Sequence, residues 1–260
     1  MPPPLPSVDT LDDVVDALQA IIDWSIEAQS RLGYFAVMYK RTTFAIRGAI
    51  DQGAFEDGPR ATRFGLAFAN RYFDAVRSHF YGGHEPAQVW QIAFEANAMD
   101  ELIILQHMLT GMNAHVAFDL GVAAAVIGGP ALESLRNDFD AVNAILVSQI
   151  DVIANAIEQV SPGFAHHRKL LTDNDVGSIG ALLRQSREFA WAFAQQLVVE
   201  PESRRPKVID DHDTIFAWWG RRYSNPPPPL EKVIDAIGET ESRDTSHNIR
   251  VLDRFVSRPP

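Results

Sequence analysis

The chain has no cysteine among its 260 residues. That excludes disulfides, thiolate metal sites and cysteine nucleophiles, so any metal must be held by imidazole, carboxylate, amide or water. Basic charge is also scarce: 23 Lys and Arg stand against 34 Asp and Glu, a formal net charge of -11. The basic residues are dispersed, which argues against nucleic acid as a partner, because a phosphate-tracking surface needs a clustered basic face. Sustained two-residue alternation and Asn-Gly hairpins are missing, so strands find no support. Gly-rich phosphate loops, nucleophile elbows and dinucleotide fingerprints are missing too, leaving no case for a nucleotide cofactor.

Long apolar runs are short of what a bilayer needs. The best, Leu120 to Leu132, is broken by Gly128-Gly129-Pro130, and no membrane span is expected. The start, Met1-Pro2-Pro3-Pro4-Leu5-Pro6, lacks the basic region and apolar core of a secretory signal. A cytoplasmic location is the default expectation.

What is present is helical periodicity. Leu11, Val14, Val15, Leu18, Ile21, Ile22 and Ile26 carry the three-and-four spacing of an amphipathic helix capped by Asp9 or Thr10. A second helix is predicted from Tyr34 to about Asp51, and a third through Phe64, Leu66, Phe68, Phe73 and Val76, ended by Gly82-Gly83. Further helical signal runs from Glu85 to about Phe118. Continuous signals over Ala98 to Ile127 and Pro130 to Val160 predict a long central pair joined by a Gly-Gly-Pro turn. Another helix is expected from about Ser178 to Val199. The expected architecture is all-α, a multi-helix orthogonal bundle over residues 8–200. Residues 201–260, with Asn225-Pro226-Pro227-Pro228-Pro229, read as a Pro-rich C-terminal arm packed on it.

The most informative stretch is Gln106 to Leu120. His107, Gly111, His115 and Asp119 recur every four residues and share one helical stripe. Burying two imidazoles and a carboxylate costs several kcal/mol each unless they are paired or ligated. His115 and Asp119, four apart, can face one ion or one another. His107 lies two turns earlier, roughly 12 Å along the axis, too far for the same ion. It is therefore a second ligand site or an acid/base group across a pocket floored by Gly111. Asn113 points elsewhere and suits a neighbouring backbone or a substrate.

Other polar groups sit in apolar helices. Arg71, Arg187 and Trp191 suit an anionic substrate, or else carboxylate partners such as Asp74, Glu95 or Asp138. In Phe55-Glu56-Asp57-Gly58-Pro59-Arg60, Asp57 is either the cap of a helix beginning at Pro59 or a catalytic carboxylate over the mouth of the bundle. Asn174 to Ser178 and Asp210-Asp211-His212-Asp213 superficially match the magnesium motifs of class I terpene cyclases. Their order is reversed and Leu182 stands where a glutamate is needed, so caps and a solvated face explain them.

The segment QHMLTGMNAHVAFDLGVAAA, Gln106 to Ala125, resembles the signature of an uncharacterised bacterial all-helical family whose hallmark is a HxLxGxNAHxxxDL helix. FEDGPR and AFANRYFDA, at 67–75, look like that family's flanking segments, so the resemblance covers residues 30–200. It implies a helical fold and no established reaction. A more distant similarity is to zinc-dependent phospholipase C and single-strand nucleases, whose trinuclear zinc site uses a His-x-x-x-Asp and a His-x-x-x-Glu element. His115 and Asp119 match the first; the second element and those enzymes' mature N-terminal tryptophan have no counterpart here.

Three functional readings follow. In the first, His115 and Asp119 bind a divalent zinc, manganese or iron ion that activates water for ester or phosphoester hydrolysis, with His107 as base or further ligand. In the second, His107, His115 and Asp119 form a metal-free acid/base set for cyclisation, isomerisation or elimination of an apolar molecule of secondary metabolism. In the third, the polar stripe only fixes helix register in a binding or structural protein. A small-molecule substrate is the expected partner in the first two, and the Pro-rich arm either closes the pocket or joins a second copy in a homodimer.

Overall fold

The computed structural model describes residues 1–172 and 179–256, and among these every regular element is a helix. In chain order they are α1 (Leu11–Ala28), α2 (Leu32–Asp51), α3 (Gly58–Tyr81), α4 (Gln88–Ala96) and α5 (Ile104–Met112), then a π-helical segment (Asn113–Asp119) leading into α6 (Leu120–Gly128). A 3-10 turn (Gly129–Leu135) connects to α7 (Arg136–Ser148) and α8 (Ile150–Glu158). The remainder is α9 (Pro162–Thr172), α10 (Ile179–Val199), α11 (Arg205–Ser224), α12 (Leu230–Gly238) and α13 (Thr245–Val256). The all-α expectation holds.

Local chemistry sets the starts of several helices. Thr10 caps α1 through a reciprocal box: its hydroxyl accepts from the Asp13 amide at 3.1 Å, and the Asp13 carboxylate accepts from the Thr10 amide at 2.8 Å. Asp57 caps α3, accepting from the Arg60 amide at 2.8 Å, with Pro59 in the first turn. The helical signal read from Glu85 to Phe118 is interrupted over residues 97–103, where α4 ends and α5 begins.

The central run departs from α geometry in its middle. From Asn113 the backbone widens, and the Leu120 amide donates to the carbonyl of His115, five residues back. Single wide turns of this kind within α-helices recur at functional sites. The turn at Gly128-Gly129-Pro130 separates the two halves of the run, and each packs on other helices: α6 lies mainly against α10, while α7 lies against α2 and α10. Gly121 makes the first of these approaches close, since a methyl there would meet the Ala190 carbonyl oxygen at 2.7 Å. By length and composition the helical run Ile104–Glu158 is apolar enough to cross a membrane, which the broken apolar stretches of the sequence do not suggest. In the structure 61% of its most apolar stretch is buried inside the protein.

The C-terminal segment, read in sequence as a Pro-rich arm packed on the bundle, is largely helical. It folds into α11, α12 and α13, and Phe216, Ala217, Ile237, Ile249, Leu252 and Val256 enter the same apolar core as α1, α2 and the central run. Lys40, buried on α2, is paired with Asp253 of α13. Arg41 donates to the Val256 carbonyl at 3.2 Å. Their prolines and charges mask these helices in sequence, but each still buries one apolar stripe.

Candidate functional site

The widened turn brings His115 and Asp119 together as the four-residue spacing predicts. Nδ1 of His115 lies 3.2 Å from Oδ2 of Asp119, both side chains being almost wholly buried. Two partners from other helices complete the cluster. Trp90 of α4 donates its indole N–H to Oδ2 at 2.9 Å, and Arg71 of α3 donates Nε–H to Oδ1 at 2.7 Å. Arg71 thus pairs with none of the three carboxylates expected for it, and Trp90 carries no sequence signal beyond an aromatic on an apolar face.

The electrostatics follow from this arrangement. Burial alone would push the Asp119 carboxyl up, but the Arg71 guanidinium and the hydrogen bonds from His115 and Trp90 outweigh it and hold the group below the ordinary carboxylate range. Burial pushes His115 below the usual imidazole value; Asp119 opposes that, and Arg71 adds to it. The imidazole is therefore neutral near pH 7. An ionised carboxylate can only accept, so Nδ1 carries the proton and Nε2 the lone pair.

Nε2 is buried and makes no hydrogen bond among the described residues. The ring is clamped by aromatics, stacked on Phe68 at 3.6 Å between centroids and edge-on to Tyr39 at 4.6 Å. It forms part of the wall of an apolar cavity of about 90 Å³ that runs between α2, α5, α7 and α8, with Met38, Phe68, Met108, Met112 and Ile157 among its lining. The imidazole ring is thus part of an otherwise apolar wall, with its unpartnered Nε2 buried.

His107 does not join this pair. It is buried beside Tyr34, 5.7 Å between ring centroids, and lines small polar and apolar pockets elsewhere. Neither ring nitrogen makes a hydrogen bond of ordinary geometry, although the Leu102 carbonyl favours the protonated form; burial and the nearby Arg31 and Arg243 charges dominate and push the imidazole down to about 3. The intended floor of the pocket, Gly111, is occupied by protein: a methyl there would meet the Phe35 ring at 2.6 Å. Phe35, 6.0 Å from His115 by centroids, fills the space where a substrate shared by the two histidines was expected.

The remaining candidates lie apart. Asn113 donates to the Phe216 carbonyl at 2.8 Å, tying the wide turn to α11, the backbone-holding role read for it in sequence. Asp57 is a helix cap, and its loop is clasped by Asp138, which accepts from the Glu56 amide at 2.7 Å and from Arg60 at 2.9 Å. Arg187 is buried over the Phe139 ring, donates to the Phe139 carbonyl at 2.5 Å, and is lowered to about 9 by burial. Trp191 packs on the same Phe139 ring at 4.9 Å, outside the cavity lining. Asp213, from the acidic cluster, caps α4 by accepting from the Gln88 and Val89 amides. Asn174 to Ser178 lie outside the described residues.

A divalent zinc, manganese or iron ion at His115 and Asp119 would have to share carboxylate oxygens that already accept from Arg71 and Trp90 and face Nδ1 of His115. It would also sit beside a guanidinium. That donor set does not suit a cation, and among the described residues no group of three or more His, Asp or Glu gathers as ion ligands would.

Residues 11–226 match a family described as "Family of unknown function (DUF5995)", and the chain belongs to that family. The match spans the whole His115 and Asp119 site and ends before α12. No curated protein matches the chain, and no solved structure does.

Proposed function

We propose that the protein is an acid/base enzyme that moves a proton on an apolar small molecule held in the cavity beside His115, as in an isomerisation or an elimination. One observation carries this reading: Asp119 holds the Nδ1 side of the imidazole while Nε2, bearing a lone pair, stands unpartnered in a ring that lines the cavity.

His115 acts as base. Nε2 takes a proton from a carbon or oxygen atom of the substrate, and the electron pair of the broken bond stays on the substrate. The resulting imidazolium is stabilised by the adjacent carboxylate, and the same proton returns to a different atom or to a leaving group. Asp119 is a positioning residue, itself kept ionised by Arg71 and Trp90. The apolar lining of the cavity disfavours water that would compete for the proton.

The test follows a set of apolar, enolisable ketones by proton NMR in D2O. Double-bond migration with the transferred hydrogen retained is expected with the wild type, abolished in His115→Gln and slowed in Asp119→Asn. Turnover that survives unchanged in His115→Gln would refute the role given to the imidazole.

A further inference from the structure

Asp119 also lines a second opening, a cleft of about 320 Å³ whose other walls include Arg71, Asp74, Ser78, His84, Glu85 and Trp90. Arg71 spans from this cleft to the buried carboxylate. Its Nε is used on Asp119, but its two Nη nitrogens make no hydrogen bond among the described residues, and the side chain is 31% exposed. The guanidinium is held in place from behind by Asp119 and by the Phe118 ring, 5.6 Å from Cζ. An arginine anchored through Nε, with its outer edge free in a concave site, is preorganised for two parallel hydrogen bonds to an oxyanion.

Two uncharged neighbours can add hydrogen bonds to an anion there. Ser78, two turns further along the same face of α3, is hydrogen-bonded to His84 Nε2 at 2.8 Å, placing a hydroxyl and an imidazole on the cleft wall. Of the two acidic groups at the rim, Asp74 is already paired with Arg77 at 2.6 Å, and Glu85 is solvent-exposed. We propose that this cleft binds a small oxyanion, a carboxylate or a phosphate monoester, on the free edge of Arg71. The site is a binding site in its own right and does not depend on the reaction assigned to His115. Its occupant would place negative charge within one side chain of Asp119, so that the two pockets communicate through Arg71.

Trp90 gives the site a reporter, because its indole N–H bonds to Asp119 in the cleft wall. Acetate and inorganic phosphate are titrated separately into the full-length protein while the Trp90 indole resonance is followed, with chloride at matched ionic strength as control and Trp90→Phe to assign the signal. Saturable movement with acetate alone assigns a carboxylate site, with phosphate alone a phosphate site, and with both a general oxyanion site; each supports the proposal. Binding is expected to weaken about tenfold or more in Arg71→Gln, and by a smaller factor in His84→Ala, which leaves the buried cluster intact. If Arg71→Gln does not fold, His84→Ala and Ser78→Ala carry the comparison. A response to chloride equal to that of both oxyanions, or binding unchanged in all the variants, would overturn the proposal.

Discussion

His115 and Asp119 face each other across one wide helical turn, Nδ1 to Oδ2 at 3.2 Å, and the Asp119 carboxylate is locked by Arg71 at 2.7 Å and Trp90 at 2.9 Å. The four residues come from three helices, so the pair organises the packing of α3 and α4 on the central run as well as orienting the ring.

The two charges of this cluster differ in burial, Asp119 being almost wholly buried and Arg71 about a third exposed. Arg71→Ala strands a buried carboxylate and is expected to cost about 3–5 kcal/mol, whereas Asp119→Ala leaves the indole N–H unpaired beside a guanidinium that still reaches solvent and should cost less. The double variant should cost less than the sum of the two. Urea unfolding of the three variants measures this; additive losses would show that the two side chains do not act on each other.

Acid should destabilise the fold. In the unfolded chain His107 and His115 titrate near 6.5, whereas folding holds His107 down to about 3 and His115 below 6.5. Below pH 6.5 the unfolded state therefore binds more protons than the folded one, and stability falls as pH falls, by up to about 1.4 kcal/mol per pH unit for a histidine that stays neutral in the fold. The His107 contribution continues to about pH 3. Depression of Asp119 acts in the same direction, its stabilisation being lost as pH drops through its folded value. Because both His107 nitrogens lack hydrogen bonds, His107→Leu should flatten the pH dependence of the urea midpoint between pH 6.5 and 4. An unchanged slope would mean His107 is solvated in solution.

Two glycines on the central run should respond differently to alanine. At Gly111 the new methyl meets the Phe35 ring at 2.6 Å, and a side chain can yield; at Gly121 it meets the Ala190 carbonyl oxygen at 2.7 Å, and a backbone cannot. Alanine gains up to about 1 kcal/mol in helix propensity at either position. Against that, overpacking costs about 1–3 kcal/mol at Gly111 and more at Gly121. Thermal unfolding should rank wild type above Gly111→Ala above Gly121→Ala.

Asp57, which the sequence offered as a catalytic carboxylate, should behave as a cap. Asp57→Ala is expected to cost about 1 kcal/mol, Asp57→Asn and Asp57→Ser much less, and none should alter the His115 resonances. A change in the His115 signals would place the loop in the site.

The pairing of His115 with Asp119 was legible in sequence because it is local, a consequence of spacing that survives even the switch to a wider turn. Asp57 as a cap was legible for the same reason, from Asp followed by Gly-Pro. Arg71 and Trp90 were not, since they reach Asp119 from 48 and 29 residues away and only packing brings them there. The exclusion of His107 was equally hidden: it depends on Phe35 filling the space over Gly111, a fact about α2 and not about the helix that carries the motif. In the tail, four prolines and a run of charges obscured helices whose buried positions are few, so α11 to α13 become visible only where Phe216, Ile249 and Leu252 meet the core.

The protonation of the two His115 ring nitrogens tests the central claim most directly. Nitrogen-15 NMR of imidazole-labelled protein at pH 7, with His115→Gln for assignment, is expected to show Nδ1 protonated and Nε2 with the shift of a free lone pair. In Asp119→Asn that preference should be lost. A protonated Nε2 in the wild type, or a ring charged at pH 7, would contradict the account, because His115 would then have no base to offer the cavity.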